Sequence, residues 1–347
     1  MPEIDNFFNT LIRRNGSDLH LKEGQKPKIR INGQLTEIGN QILTKQHITA
    51  LLSSLLPKKD WQQFESKGDF DFAYSLGEHA RFRGNYHRHL FGIGAAFRLV
   101  PSKILSIEEL GVPLCVKNFA KLHSGLILIT GPTGSGKSTT LASIIDYINT
   151  NYSFKIITIE DPVEFIHYRK KSLICHREVG RDTASFANGL RSAIKCDVDI
   201  ILVGEMRDIE TMELALTASE MGILVLSTLH TSSAAKTVDR IVDSFPSNRK
   251  NHIRTILANN LKAIVAQQLL PSIDLNRRYA AFEVLLKTQA LNNIIHSGES
   301  IRLNSEIEMN RAQGMRLMDD SLMELLRAGK ISNENAYLKA NNKTNFS

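Results

Sequence analysis

Residues 126–140 read LILITGPTGSGKSTT. Five apolar or β-branched residues run unbroken into a glycine-rich turn, and the segment after it, TTLASIIDYI, carries its apolar residues at helical spacing. The turn matches G-x-x-x-x-G-K-[ST] at Gly131, Gly136, Lys137 and Ser138. Glycine is needed because only a bare backbone wraps closely enough to aim successive N–H groups at phosphate oxygens, and the following helix N-terminus adds partial positive charge. The loop from Gly131 through Pro132, Thr133, Gly134, Ser135 and Gly136 to Lys137, Ser138 and Thr139 therefore reads as a binding site for ATP. Lys137 is expected to reach the β/γ phosphates, and the Ser138 hydroxyl to ligate Mg²⁺. Chance would produce such a match in roughly one chain per hundred, and its placement between strand and helix makes chance rarer still.

Working downstream, KIITIE (155–160), DIILVG (199–204) and ILVLSTL (223–229) are further short apolar runs separated by helix-length segments. Fully apolar strands alternating with helices predict a parallel sheet covered on both faces, an α/β fold. Two of these strands lead into acids: Glu160 with Asp161, and Glu205. A carboxylate at that edge can hold Mg²⁺ through water or polarise the attacking water. One such acid alone reads as a solvated loop residue, whereas two at neighbouring strand ends beside a P-loop read as catalytic. A third strand ends in Ser227, Thr228 and His230, polar groups placed to sense a γ-phosphate. Beyond Leu270 only AAFEVLL reads as a strand. LNNIIHS, SEIEMNRAQ and SLMELLRAGK read as helices, and NNKTNFS as a frayed tail.

Upstream, the first hundred residues read as an α+β unit. A helix leads, followed by the short strands LHLKEG, PKIRING and QLTEIG and a helix near HITALLSSLL; DFDFAYSLGEHARFRGNYHRH and IGAAFRLVP then alternate like antiparallel strands joined at LFG. PSKILSIEELGVP, with proline at either end, marks a linker. The expected domains are thus 1–100, a linker at 101–113, and 114–347, with 280–347 mostly helical.

The stretch HARFRGNYHRH (79–89) carries three arginines and three histidines. As a strand it puts Arg81, Arg83, Asn85, His87 and His89 on one face and Phe82, Tyr86 and Arg88 on the other, with Arg98 across the hairpin. A row of guanidinium groups suits phosphate of nucleic acid and of nucleotide alike, and an ordinary exposed strand face is the plainer reading. Periodicity does not choose among these, and His79, His87 and His89 receive no role.

The 43 Lys and Arg against 36 Asp and Glu give a net charge of +7, which favours anionic partners without selecting one. The isolated cysteines Cys115, Cys175 and Cys196 form neither a disulfide framework nor a zinc element, and fit a reducing cytoplasm. No apolar run approaches the roughly 20 residues of a membrane span, so no integral membrane segment is expected and membrane association would be peripheral. The N-terminal MPEIDNFFNTLIRRNGSDLHL reads as an amphipathic helix rather than a signal peptide.

Taken in order, GSDLHLKEG, RFRGNYHRHLFGIGAAFRLVP, LITGPTGSGKSTTLASIIDYIN, IITIEDPVEFIH, DIILVGEMRDIETMELALTASEMG, STLHTSSAAKTVDRIVDSFP, KAIVAQQLLP and GMRLMDDSLMELLRAGKIS resemble the type IV pilus retraction ATPases, the twitching-motility PilT/PilU family of the secretion ATPase superfamily. The resemblance covers nearly the whole chain. It implies a PAS-like N-terminal domain, a RecA-like motor domain with a helical C-terminal region, a ring-shaped homohexamer, and an inner-membrane pilus platform protein as partner. It also implies Glu160 as catalytic carboxylate, Glu205 as the Walker B acid and a metal-site residue, His230 as the His-box histidine, and Arg81, Arg83 and Arg98 as arginines that approach the nucleotide phosphates when the domains close. Nucleic acid is then not the expected partner. A secretion motor exporting protein or DNA is the rival reading; pilus-extension and type II secretion enzymes typically carry a tetracysteine zinc element that this chain lacks.

Two departures stand out. The acidic, proline-containing segment usual before the Walker B strand is here Lys195, Cys196, Asp197 and Val198, and the retraction-linked AIRNLIRE signature is here ALNNIIHS, from Ala290 to Ser297. The second implies intact hydrolysis with altered retraction.

Overall fold

Alternating apolar and polar residues build the first sheet, and continuous apolar runs build the second. The computed structural model describes residues 3–31, 33–77, 80–100, 103–274 and 277–346. The chain divides into two units: Met1–Lys103 with Pro162–Ile166, and Ile104–Asp161 with His167–Ser347.

The first unit holds a six-stranded antiparallel sheet. Its strands are β1 (Asp18–Lys22), β2 (Lys28–Ile31), β3 (Gln34–Glu37), β4 (Asp69–Leu76), β5 (Ala80–His89) and β6 (Gly92–Val100), arranged β3-β2-β1-β6-β5-β4. One face presents Leu19, Leu21, Ile29, Phe82, Tyr86 and Phe97 to a core shared with the helices Asp5–Arg13, Lys45–Ser53 and Lys58–Lys67. Phe8 anchors it, stacked 4.2 Å from Phe82 and edge-on at 5.0 Å to Phe97. The buried Tyr86 hydroxyl donates to Leu52 O at 2.9 Å, so its phenol is satisfied. The helix Lys58–Lys67 was not expected, because KKDWQQFESK is almost wholly polar. Phe64 alone among its residues is fully buried, and Gly68 stops the helix in the left-handed conformation, φ +81°.

In the second unit seven strands, β7 (Gly125–Thr130), β8 (Lys155–Glu160), β9 (Leu173–Glu178), β10 (Ile200–Val203), β11 (Leu224–Leu229), β12 (Leu261–Pro271) and β13 (Arg278–Leu286), lie in the order β13-β12-β7-β11-β10-β8-β9. All adjacent pairs are parallel except β12 with β13. Side chains alternate between two cores: Leu126 and Leu128 pack with the helices Phe186–Ala193, Ile209–Glu220, Ala234–Asp243 and Lys250–Asn260, while Ile127 and Ile129 pack with the helix Lys137–Asn151. Burial on both faces is what the unbroken apolar runs require. Ile107 and Val112, inside the segment read as a linker, are buried in this second core.

Three further features differ from the sequence reading. β12 is an eleven-residue strand in a segment not read as one, because Gln267 and Gln268 interrupt its apolar run. β9 was missed because LICHRE is an edge strand with a half-exposed pattern. The tail read as frayed is docked over residues 341–346: Phe346 is buried beside Ile331 and Ala336, and Asn333 Nδ2 donates to Phe346 O at 3.0 Å. Burying one phenylalanine contributes about 2 kcal/mol toward ordering the tail, alongside the amides of Asn341 and Asn342, which donate to the Asp319 carboxylate at 2.8 and 2.7 Å.

Candidate functional site

Strand β7 delivers the chain into the glycine-rich loop with no freedom to spare. Gly131 has φ +148°, and a Cβ there would lie 2.2 Å from Gln267 O. Gly136 caps the helix Lys137–Asn151 at φ +88°, a conformation that L side chains rarely adopt. The buried Lys137 ammonium donates to Gly131 O at 2.9 Å and Pro132 O at 3.1 Å. It is thereby held over the loop by carbonyl dipoles, and phosphate oxygens, which carry formal charge, are stronger acceptors for it. Ser135 Oγ is buried without a hydrogen-bond partner. A loop with an orphaned hydroxyl, a cradle that a Cβ would fill and a buried ammonium fits a polyphosphate.

The brace of this loop was not read from the sequence. Gln267 is buried on β12, whose register beside β7 pairs Ala266 with Thr130. Its Nε2 donates to Ser135 O at 2.7 Å, and its Oε1 accepts from Thr140 Oγ1 at 2.7 Å. One amide thus ties the loop to the first turn of the helix. The signal was present, since two glutamines inside an apolar run are out of place unless hydrogen-bonded.

Parallel register aligns the remaining strand ends. Val203 pairs with Ile159 on β8 and with Ser227 on β11, and Leu229 pairs with Thr130 on β7. Glu160, Glu205, His230 and the loop therefore leave the sheet at one edge. The Glu205 carboxylate is engaged on both oxygens, Oε1 by His230 Nε2 at 2.8 Å and Oε2 by Arg207 Nε at 2.8 Å. Arg207, two residues beyond Glu205, was not singled out in the sequence. Ser227 and Thr228, read as phosphate sensors, direct their hydroxyls into the sheet. Both are buried, and their hydroxyls donate to Val203 O at 2.9 Å and Gly204 O at 2.6 Å. They hold the Glu205 turn against β11.

Glu160 has a different neighbourhood. His176 on β9 places Nδ1 3.9 Å from Glu160 Oε1 and 2.9 Å from Thr158 Oγ1, while its Nε2 accepts the His167 amide at 3.1 Å. The rings of His167 and His176 stack at 5.7 Å. His167 is buried with Nδ1 unpartnered, and burial, then the neighbouring His176 and Lys170, push its pKa down to about 3.

In the first unit, Arg81, Arg83, Asn85, His87 and His89 share one face of β5, opposite Phe82 and Tyr86. Arg88 leaves the other face toward the helix Lys58–Lys67, donating to Glu65 O at 2.8 Å. Arg83 pairs directly across with Arg98, and Arg98 Nε donates to Asp18 Oδ1 at 2.9 Å. Burial alone would raise the Asp18 carboxyl, but the Ser17 hydroxyl and Arg98 outweigh it and hold it below the usual carboxylate range. Arg83 is exposed and has no ion-pair partner among the described residues. His79 lies outside the described residues.

Among the described residues no three His, Cys, Asp or Glu side chains converge to hold a metal. The candidate donors are the Ser138 hydroxyl and the Glu205 carboxylate, hard oxygens suited to Mg²⁺. Ser138 lies in the first turn of the helix Lys137–Asn151, and Glu205 lies two residues beyond the end of β10. From Gly134, Gly136, Thr139 and Thr140 a cavity of about 800 Å³ extends to Tyr279, whose ring carries the Arg277 guanidinium 4.9 Å and Lys330 Nζ 5.3 Å from its centre. Among the described residues no helix is long and apolar enough to cross a membrane.

A family model described as type II/IV secretion system protein matches residues 1–302. The chain is 45% identical over 334 residues to the type IV pilus retractation ATPase PilT of Pseudomonas aeruginosa, covering 96% of this chain and 97% of that protein. It is 44% identical over 321 residues to a twitching motility protein of Neisseria gonorrhoeae, covering 92% and 86%. The crystal structure of the pilus retraction motor PilT with bound ADP matches it at a TM-score of 0.92 and 40% identity, covering 98% of this chain and 97% of that one.

Proposed function

Because the chain belongs to the type II/IV secretion system protein family, we propose that it is an ATP-hydrolysing motor of the type IV pilus retraction kind. The observation that carries this reading is the shared sheet edge at which the phosphate loop, Glu160, Glu205 and His230 emerge together, with His230 and Arg207 gripping Glu205.

In this reading the loop amides and Lys137 bind the phosphates of ATP, and Ser138 with Glu205 holds Mg²⁺. The ion, when bound, neutralises charge on the β- and γ-phosphate oxygens. Glu160 accepts a hydrogen bond from the attacking water and aligns it. His230, fixed through Nε2 on Glu205, keeps that carboxylate turned toward the site. Arg81, Arg83 and Arg98 serve to neutralise charge on the γ-phosphoryl group, a role worth about 10³–10⁵ in rate for arginine fingers generally. The first unit is then a PAS-like domain and the second a RecA-like motor domain. The protein works as a homohexamer in the cytoplasm, peripheral to the inner membrane, against a pilus platform protein.

A secretion motor of the same superfamily is the second reading. The helix Gln289–Ser297 favours it, since it lacks the arginines and glutamate tied to retraction. One variant tests both. Glu205→Gln should bind a fluorescent ADP analogue as the wild type does and lose turnover by roughly 10²-fold or more. Expressed in a deletion strain, it should leave cells hyperpiliated and unable to twitch. Undiminished hydrolysis would refute the catalytic assignment, and unchanged pili with a secretion defect would favour the rival.

A further inference from the structure

We propose that His176 is a positioning residue for the hydrolytic step, biasing the Glu160 carboxylate electrostatically with the dipole of an Nδ1–H held on Thr158, and tying the chain beyond Glu160 back to the sheet through Nε2. The inference rests on Glu160 being the catalytic carboxylate.

Hydrogen bonding determines the state of the ring. Nε2 accepts the His167 main-chain N–H at 3.1 Å, so it carries no proton, and the proton of the neutral imidazole sits on Nδ1. Nδ1–H then donates to Thr158 Oγ1 at 2.9 Å, with Glu160 Oε1 3.9 Å away. Thr158 and Glu160 share a face of β8, and His176 is paired with Thr158. The N–H end of the ring dipole therefore points at the carboxylate from one step back along the sheet.

Glu160 needs such a partner because of what lies across from it. Its paired residue on β9 is Glu178, and like charges directly opposite on a sheet repel. His176 stands on the β9 side with Nδ1 3.9 Å from Glu160 Oε1, and the positive end of its N–H dipole favours the carboxylate there against that repulsion. Freedom of the imidazole is itself restricted, since it stacks on the buried His167 ring at 5.7 Å with the planes 14° apart.

The second nitrogen has a separate consequence. Between Glu160 and His167 the chain makes an excursion, residues 162–166, that groups with the N-terminal unit. The Nε2 bond to the His167 amide pins the point at which the chain returns. One side chain thus fixes both the catalytic carboxylate and the far end of the segment that follows it. A displacement of about 1 Å at a reacting group can cost 10²-fold in rate.

Three variants of the full-length protein, assayed for ATP turnover, nucleotide affinity and melting temperature, test this. His176→Ala should lower kcat roughly tenfold or more while leaving KM for ATP and the melting temperature near wild type. His176→Gln keeps one donor and one acceptor at comparable spacing and should recover most of the lost kcat. Glu160→Gln should abolish turnover. Wild-type kcat in His176→Ala overturns the proposal, as does an equal loss in Ala and Gln variants accompanied by a fall in melting temperature. Retained turnover in Glu160→Gln would instead remove Glu160 from catalysis and take the proposal with it.

Discussion

Acidification from pH 7 to pH 5 should destabilise the P-loop unit through His167. The buried imidazole is held at about 3, whereas the unfolded chain titrates it near the ordinary 6.5. Below 6.5 the unfolded state takes up a proton that the native state refuses, so stability falls as pH falls, down to the native value near 3. Each unit in that window is worth about 1.4 kcal/mol, and because titration begins only near 6.5 the step from pH 7 to pH 5 costs about 2 kcal/mol. His167→Phe keeps the stacking ring and the main-chain N–H that binds His176, and removes the unpartnered Nδ1. Urea unfolding at both pH values, wild type against variant, isolates the term, because all other titrations cancel in the double difference. Circular dichroism is the appropriate signal, since the single tryptophan, Trp61, lies in the other unit. If the variant loses as much stability as the wild type between pH 7 and pH 5, the orphaned His167 is not the source and the argument fails.

Gln267→Leu, which preserves bulk, leaves Ser135 O and Thr140 Oγ1 without their partner. It should weaken binding of a fluorescent ADP analogue by roughly tenfold, in line with about 1–3 kcal/mol for buried polar groups left unsatisfied, while the circular dichroism spectrum is unchanged. Arg83→Ala removes an exposed guanidinium with no ion-pair partner among the described residues, so its melting temperature should match wild type while ATP turnover falls by roughly tenfold or more. A melting temperature that drops with activity would make the arginine structural.

The phosphate loop was legible in the sequence because its chemistry is local. Glycine at 131 and 136, lysine at 137 and a helical pattern after them impose backbone conformation and charge within ten residues of chain. Glu160, Glu205 and His230 were legible for a related reason, since an apolar run that stops at a polar residue marks the edge of a buried strand. The alternation in ARFRGNYHRH likewise separated the cationic face from the aromatic one before any coordinates.

What the sequence left open depends on which strands become neighbours. Gln267 braces a loop more than a hundred residues away only because β12 lies beside β7. Ser227 and Thr228 turn from candidate phosphate sensors into supports once β11 and β10 are paired, since their hydroxyls then meet carbonyls. His176 read as nothing in LICHRE, an edge strand without apolar periodicity, and gains its place beside Glu160 from the β8–β9 register. Amino-acid order determined the backbone of the loop and the residues at each strand end, because glycine conformation, helix charge and hydrophobic burial act over short stretches of chain. Tertiary structure decided which groups those residues meet, because hydrogen bonds and ion pairs act over about 3 Å and depend on a register that no local pattern encodes.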